Sequence, residues 1–247
     1  MPPAIVEVVG VKKSFERNEV LRGVSFRLDK GETLVIMGGS GSGKTVLLRH
    51  IAGLMRPDAG EVRVFGGNIE RLSEESLLPI RRRMGYVFQG AALFDSLSVH
   101  ENVAFPLREH TSLGERQIRE RVAHVLSLVG LGDDVLPLLP SELSGGMRKR
   151  VGIARSLVIE PELMLFDEPT AGLDPTNSKM VAELILELKR GPCDTSVVVT
   201  HDVELARTVA DRLAILMDGR FAAMGRPDEV MTSGEPAVQA FLAGEAR

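Results

Sequence analysis

Gly38-Gly39-Ser40-Gly41-Ser42-Gly43-Lys44-Thr45 fits the pattern G-x-x-x-x-G-K-[ST] of a phosphate-binding loop. Leu34-Val35-Ile36-Met37 before it is a short apolar run that reads as a buried strand. Beyond it, Leu47, Leu48, Ile51 and Leu54 recur at helical spacing. Strand, glycine loop and helix in that order form the setting this motif requires. Four glycines in eight residues let the backbone wrap closely around an anion, since glycine enters positive φ without a steric cost. Successive N–H groups and the positive end of the helix dipole then face the phosphates. Lys44 would reach the β- and γ-phosphates, and the Thr45 hydroxyl would coordinate Mg2+. A plain Gly/Ser turn would explain the flexibility but not the Lys-Thr pair at its end. The loop predicts binding of a nucleoside triphosphate.

With 247 residues the chain is long enough for one α/β domain, or a core with a subdomain. A formal net charge of −4 argues against sequence-independent nucleic-acid binding, which needs a basic footprint. Aromatic residues are only 4% of the chain, so base-stacking platforms are scarce as well. Cys193 is the single cysteine and reads as an incidental loop residue; no internal disulfide can form, consistent with a reducing compartment. No apolar run approaches the ~20 residues of a membrane span. Met1-Pro2-Pro3-Ala4 lacks the charged start and long apolar stretch of a signal peptide. A cytoplasmic protein is expected, with any membrane work done through a partner.

Residues 4–37 read as strands, with Val6, Val8 and Val11 apolar and Val24–Leu28 alternating with period two. Asp29–Glu32 is a turn between them, and Phe15 falls in a polar loop from Lys12 to Glu19. After a break at Arg56–Gly60, Glu61–Phe65 and 84–88 return as strands, the latter ending at Gln89. Residues 90–158 change character. Ile118, Val122, Val125, Leu126 and Val129 make one helical face opposite a run of charges, and Gly130 is the stop. This predicts a helical insertion packed by its own apolar stripe.

Leu143-Ser144-Gly145-Gly146-Met147 opens a further helix, with Ser144 as N-cap. Two glycines at a helix start weaken it, and their natural use is close approach to an anion. Arg148, Lys149 and Arg150 read as exposed bases that raise the local potential. Leu163–Phe166 suits a central parallel strand and delivers Asp167-Glu168 at its carboxyl end, where open α/β sheets bind ligands. Asp167 reads as the Mg2+-side carboxylate and Glu168 as the group that orients or deprotonates water. Asp174-Pro175 begins a helix to about Lys189 as N-cap and first residue. Ser196–Thr200 is another buried strand, and His201 after it could donate to a γ-phosphate oxygen. His50, His100, His110 and His124 read as incidental. Leu213–Met217 and Arg220–Met224 flank Asp218-Gly219, a type I′ hairpin turn. A short helix and a loose end should follow from Gly225 to Arg247.

In this order and spacing the motifs resemble the ATPase subunits of ATP-binding-cassette transporters, over essentially the whole chain. Gly38–Thr45 is similar to the Walker A loop, Gln89 to the Q-loop and Leu143–Met147 to the signature motif. Leu163–Glu168 resembles Walker B with its catalytic glutamate, Ala171–Asp174 the D-loop, and His201 the switch histidine. Phe15 falls where that family keeps an adenine-stacking aromatic, usually Tyr. Phe94–His110 and Pro140–Arg148 further resemble the Mla/Mce-type ATPases, which energise phospholipid movement across bacterial envelopes. Met147 in place of Gln, and Val46 in place of a second hydroxyl, match that branch; Val46 leaves only its backbone N–H for the α-phosphate.

The resemblance implies a RecA-like P-loop NTPase fold: a mixed α/β sheet core, an N-terminal antiparallel β part and an inserted α-helical subdomain. Residues 1–89 and 159–224 would form the core, 90–158 the signature subdomain and 225–247 a tail. ATP and Mg2+ would be bound, with Gln89 linking the metal to the helical part. Ser144, Gly145 and Gly146 would complete the site of a second copy, giving a head-to-tail dimer around two ATP molecules. The groove near Gln89 and Phe94–Pro106 would receive an integral membrane permease on the cytoplasmic face of the inner membrane. An Mce-domain lipid-binding protein is a further implied partner. Two other readings stay open: an importer ATPase for a polar solute such as an amino acid, and a soluble non-transport cassette.

Overall fold

The computed structural model describes residues 4–244, so Met1–Pro3, which bear on the expected lack of a signal peptide, and the last three residues of the tail lie outside it. β1 (Ala4–Phe15) and β2 (Asn18–Asp29) pair as an antiparallel hairpin. Val6, Val8, Val11, Val24, Phe26 and Leu28 are all buried. The step from Val8 to Val11 breaks period two because the register shifts there, around Gly10 at φ 58°. The expected loop from Lys12 to Glu19 is largely strand: pairing continues to Phe15 opposite Asn18, leaving only Glu16 and Arg17 as the turn. Polar residues there face solvent on one side of a ribbon, a pattern that alternation over so few residues hides.

β3 (Thr33–Met37) is buried at every position and runs straight into the glycine loop. α1 (Lys44–Ile51) follows, one turn shorter than the spacing of Leu54 predicts. Gly53 at φ 66° ends it, and Leu54 turns out to solvent. β4 (Ala59–Val64) and β5 (Gly67–Asn68) join the hairpin in a four-stranded sheet ordered β2-β1-β4-β5.

α2 (Glu74–Arg81) leads to β6 (Met84–Val87) and then to three helices: α3 (Val99–His110), α4 (Glu115–Leu128) and α5 (Gly145–Leu157). The stripe on α4 is buried as its period predicts, and Gly130 at φ 68° follows the helix end. It does not enclose a separate core. Val103, Val122, Leu126 and Ile153 belong to one continuous apolar cluster with Met37, Val87 and Phe166 of the strands. Burial of each such side chain stabilises the fold by roughly 1.5–3 kcal/mol, so the helical layer and the sheet are cemented together.

β7 (Leu163–Asp167), α6 (Pro175–Arg190), β8 (Ser196–Thr200), α7 (Val203–Val209), β9 (Arg212–Met217) and β10 (Arg220–Gly225) complete the main sheet. Its order is β10-β9-β3-β8-β7-β6, parallel except for β10. Asp218 and Gly219 at φ 47° and 73° make the tight turn that the hairpin predicts. The tail is more ordered than a single helix with a loose end: α8 (Pro227–Met231) and α9 (Pro236–Leu242) pack back on the chain, with Val238 fully buried. Cys193 lies on the loop between α6 and β8, as expected, and is buried in the core cluster.

Candidate active site

β3, β7 and β8 are neighbours, with Met37 opposite Thr200 and Asp167 opposite Val199. Their carboxyl ends therefore bring the glycine loop, Asp167-Glu168 and His201 to one edge of the sheet. There a cleft of about 510 Å³ is lined by Gly39, Lys44, Thr45, Gln89, Glu168 and His201. Residues as far apart in sequence as Gly39 and His201 thus share one solvent-facing hollow.

Lys44 is buried, and its ammonium donates to the carbonyls of Gly38 at 2.8 Å and Gly39 at 3.0 Å. It also pairs with Glu168 Oε1 at 3.4 Å. Oε2 of the same carboxylate lies 2.8 Å from His201 Nδ1 and accepts the His201 backbone N–H at 3.2 Å. Glu168 holds φ 48°, in the left-handed region that glycine enters freely and a residue with a Cβ enters at a cost. Gly41 and Gly43 at φ 78° and 101° shape the loop; at Gly43 a Cβ would meet Leu21 Cδ2 at 2.9 Å. α1 has no side-chain N-cap and no acid in its first turn, which leaves its leading amides to an anion.

Thr45 Oγ1 donates to Asp167 Oδ1 at 2.8 Å, and the Tyr86 hydroxyl donates to Asp167 Oδ2 at 3.2 Å. Burial, then the Asp167 charge, pushes the Tyr86 phenol upward, so it stays a donor. Ser42 Oγ is buried with no hydrogen-bond partner among the described residues. The Thr45 hydroxyl and the Asp167 carboxylate in contact form an oxygen-only donor set that suits Mg2+ bound with phosphate oxygens.

Ser144 caps α5, its hydroxyl accepting the Met147 N–H at 3.2 Å. Ser144, Gly145 and Gly146 do not line the Lys44 cleft. They sit instead beside the start of α6: a Cβ on Gly146 would meet Asn177 Oδ1 at 2.2 Å, and one on Gly145 would meet Leu173 Cδ2 at 3.7 Å. Asp174 is the N-cap of α6, accepting from the Thr176 and Asn177 amides at 3.0 and 3.1 Å. Hydrogen bonds from the Asn177 side chain and backbone hold its carboxyl below the usual range.

Phe15 stands exposed at the hairpin tip, with Lys13 Nζ 5.5 Å from its ring centroid, and does not line the cleft. Val46 is half-buried against the β1–β4 side of the core. Three features escaped the sequence reading. Tyr86 is one. A second is Lys149, expected as an exposed base but buried, its ammonium donating to the carbonyls of Gln89 and Glu168. The third is the tail, whose Phe241 and Leu242 line the cleft beside the glycine loop.

The family model described as ABC transporter matches residues 21–171. The chain is 42% identical over 99% of its length to the probable ribonucleotide transport ATP-binding protein mkl of Mycobacterium leprae, of which it spans 70%. It is 40% identical over 100% of its length to the intermembrane phospholipid transport system ATP-binding protein MlaF of Escherichia coli, of which it spans 92%. Among solved structures it resembles a dimeric ATP-binding cassette in a post-hydrolysis state bound to ADP and Pi, at TM-score 0.83 and 33% identity. That likeness covers 90% of this chain and 98% of the other.

Proposed function

Because the chain belongs to the ABC transporter family, we propose that it is the ATP-binding and ATP-hydrolysing subunit of a phospholipid transporter, working through a membrane-spanning permease. The observation that carries the catalytic reading is the convergence of Lys44, Glu168 and His201 in one cleft. Gly38–Val46 wraps the phosphates, and Phe15 offers an exposed ring for the adenine. Lys44 exchanges its loop carbonyls for the β- and γ-phosphates. Thr45 and Asp167, with Gln89, would hold Mg2+. When bound, the metal neutralises charge on the transferring phosphoryl group. Glu168 orients the attacking water and takes its proton, and His201, hydrogen-bonded to Glu168, holds the γ-phosphate.

Ser144, Gly145 and Gly146 serve a second copy, in line with their position outside the cleft of their own chain. Two head-to-tail copies enclose two ATP molecules, each γ-phosphate bridging Lys44 of one copy and the α5 N-terminus of the other. ADP lacks the bridging group, so hydrolysis removes the attraction that closes the pair. Asp174 sits beside Gly146 and Asn177 on the same face, where the copies would meet. Residues 1–89 and 159–224 act as the nucleotide core, 90–158 as the signature subdomain and 225–247 as a tail.

The helical layer transmits closure to the permease near Gln89 and the exposed Phe94–Phe105 pair, whose ring centroids are 5.0 Å apart. No helix among the described residues is long and apolar enough to cross a membrane; in this reading a permease supplies the span and the chain works at the cytoplasmic face of the inner membrane. An Mce-domain lipid carrier completes the path. The M. leprae relative's name favours a second reading, a polar cargo such as a ribonucleotide. Purifying the tagged chain with its membrane partner and measuring ATP hydrolysis separates the two. Copurified phospholipid and stimulation by phospholipid vesicles support lipid transport; stimulation by ribonucleotides alone supports the other.

A further inference from the structure

We propose that Lys149 is a positioning residue for hydrolysis, a buried clamp on α5 that holds the carbonyls of Gln89 and Glu168 together and so sets the Glu168 carboxylate. This rests on the assignment of Glu168 as the group that activates water. Lys149 is only 6% exposed although it lies between Arg148 and Arg150. Its ammonium donates to the Gln89 carbonyl and, at 3.2 Å, to the Glu168 carbonyl. A cation is costly to bury without a carboxylate partner in direct contact, and burial pushes the Lys149 amine below its usual range. A placement maintained at that cost points to a job at the two peptides it grips.

Those two peptides need holding. Glu168 sits at φ 48°, and Ala91 and Ala92, just past Gln89, at φ 62° and 49°. Residues in that region persist only where the surroundings over-determine them. The Glu168 peptide is fixed by its N–H to Val199 O at 2.9 Å and by its carbonyl, which accepts both Ala171 N and Lys149 Nζ. Its carboxylate is then aimed between Lys44 and His201.

The same face of α5 tracks the chain from Tyr86 to Ala92. Ser156 Oγ donates to Tyr86 O at 2.8 Å, and Arg155 donates to Ala91 O and Ala92 O at 3.0 and 2.7 Å. Gly152 fits between them: a Cβ there would meet the Ala91 Cβ at 3.1 Å. Among the described residues, Lys149 is the one on this track that hydrogen-bonds to Glu168. A shift of the helix that begins at Ser144 therefore moves Gln89 and the base together, and removing the ammonium uncouples them.

The test compares wild type, Lys149→Met, Lys149→Arg and Glu168→Gln as full chains, by steady-state ATP hydrolysis, fluorescent-ATP affinity and thermal midpoint. Lys149→Met keeps most of the stem and loses the charge. Its kcat is expected to fall about 10- to 100-fold, as slight misplacement of a reacting group does, with KM and ATP affinity within about twofold of wild type. Lys149→Arg recovers most of that loss. Two results overturn the clamp: Lys149→Met turning over as wild type, or losing turnover, affinity and thermal midpoint together without rescue by Arg. Failure of the underlying reading looks different: Glu168→Gln would then hydrolyse ATP at the wild-type rate.

Discussion

One carboxylate oxygen of Glu168 lies 2.8 Å from His201 Nδ1 while the other lies 3.4 Å from Lys44 Nζ. The two ends of β7 and β8 thus share a single acceptor group, and the phosphate-loop lysine is already turned toward it. Replacing the carboxylate by an amide keeps the shape and a hydrogen bond to His201 but removes the proton acceptor. Glu168→Gln is expected to bind ATP near normally, lose turnover by at least about 100-fold, and accumulate as a closed dimer with ATP and Mg2+. Size-exclusion chromatography with light scattering, alongside phosphate release, reads both. A strictly monomeric, ATP-loaded Glu168→Gln protein would break the dimer account.

The Thr45 hydroxyl donates to Asp167 Oδ1 at 2.8 Å, which makes it a pre-aligned oxygen donor. Thr45→Ala removes it without disturbing the backbone amide of α1. The Mg2+ concentration giving half-maximal hydrolysis should rise by about 10- to 100-fold, and chelation with EDTA should abolish turnover in both proteins. An unchanged Mg2+ titration in Thr45→Ala would remove that residue from the metal site.

Asp174 has two possible duties that substitutions can separate. As N-cap it accepts from two amides, so Asp174→Ala should lower the urea midpoint. Asp174→Asn keeps a capping oxygen and should unfold in urea nearly as wild type does. If the carboxylate also acts between copies, Asp174→Asn loses turnover despite its intact stability. Turnover that tracks stability across both variants would confine Asp174 to capping.

The strands and the phosphate loop were legible because their signals are local: β8 spans Ser196–Thr200 as its valine run predicts, and Asp218-Gly219 turns as two positive-φ residues must. Lys149 was not, because the helix carries three bases in a row and only the tertiary packing decides which one faces inward. Gly146, Lys149, Gly152 and Ser156 are buried along with Val151, Ile153, Ala154 and Leu157, and these small and polar members hide the width of the buried face from an apolar pattern. Phe15 was misplaced on a loop for a related reason, since the polar end of a ribbon lacks the alternation that marks its buried half. The tail could not be read either: Phe241 and Leu242 acquire meaning only from the glycine loop far upstream in sequence.

His50, read as incidental, gives the chain a defined acid sensitivity. It lies on α1 with only 1% of its surface exposed, and neither ring nitrogen has a partner among the described residues. Desolvation, and secondarily the positive charge of Lys13, brings its pKa from 6.5 down to about 4, with Asp58 opposing weakly. The unfolded chain therefore takes up a proton near pH 6.5, whereas the folded chain resists until about pH 4. Stability from this residue is complete above pH 6.5 and is lost as pH falls through that window. The loss is on the order of 3 kcal/mol, from the size of the shift. Urea unfolding at pH 7.5, 5.5 and 4.5 should show a steep decline in wild type and a shallower one in His50→Met, which cannot take up the proton. Parallel declines would mean that the ring finds a partner or water in the adjoining cavity of about 70 Å³ and is not the acid-sensitive element of α1.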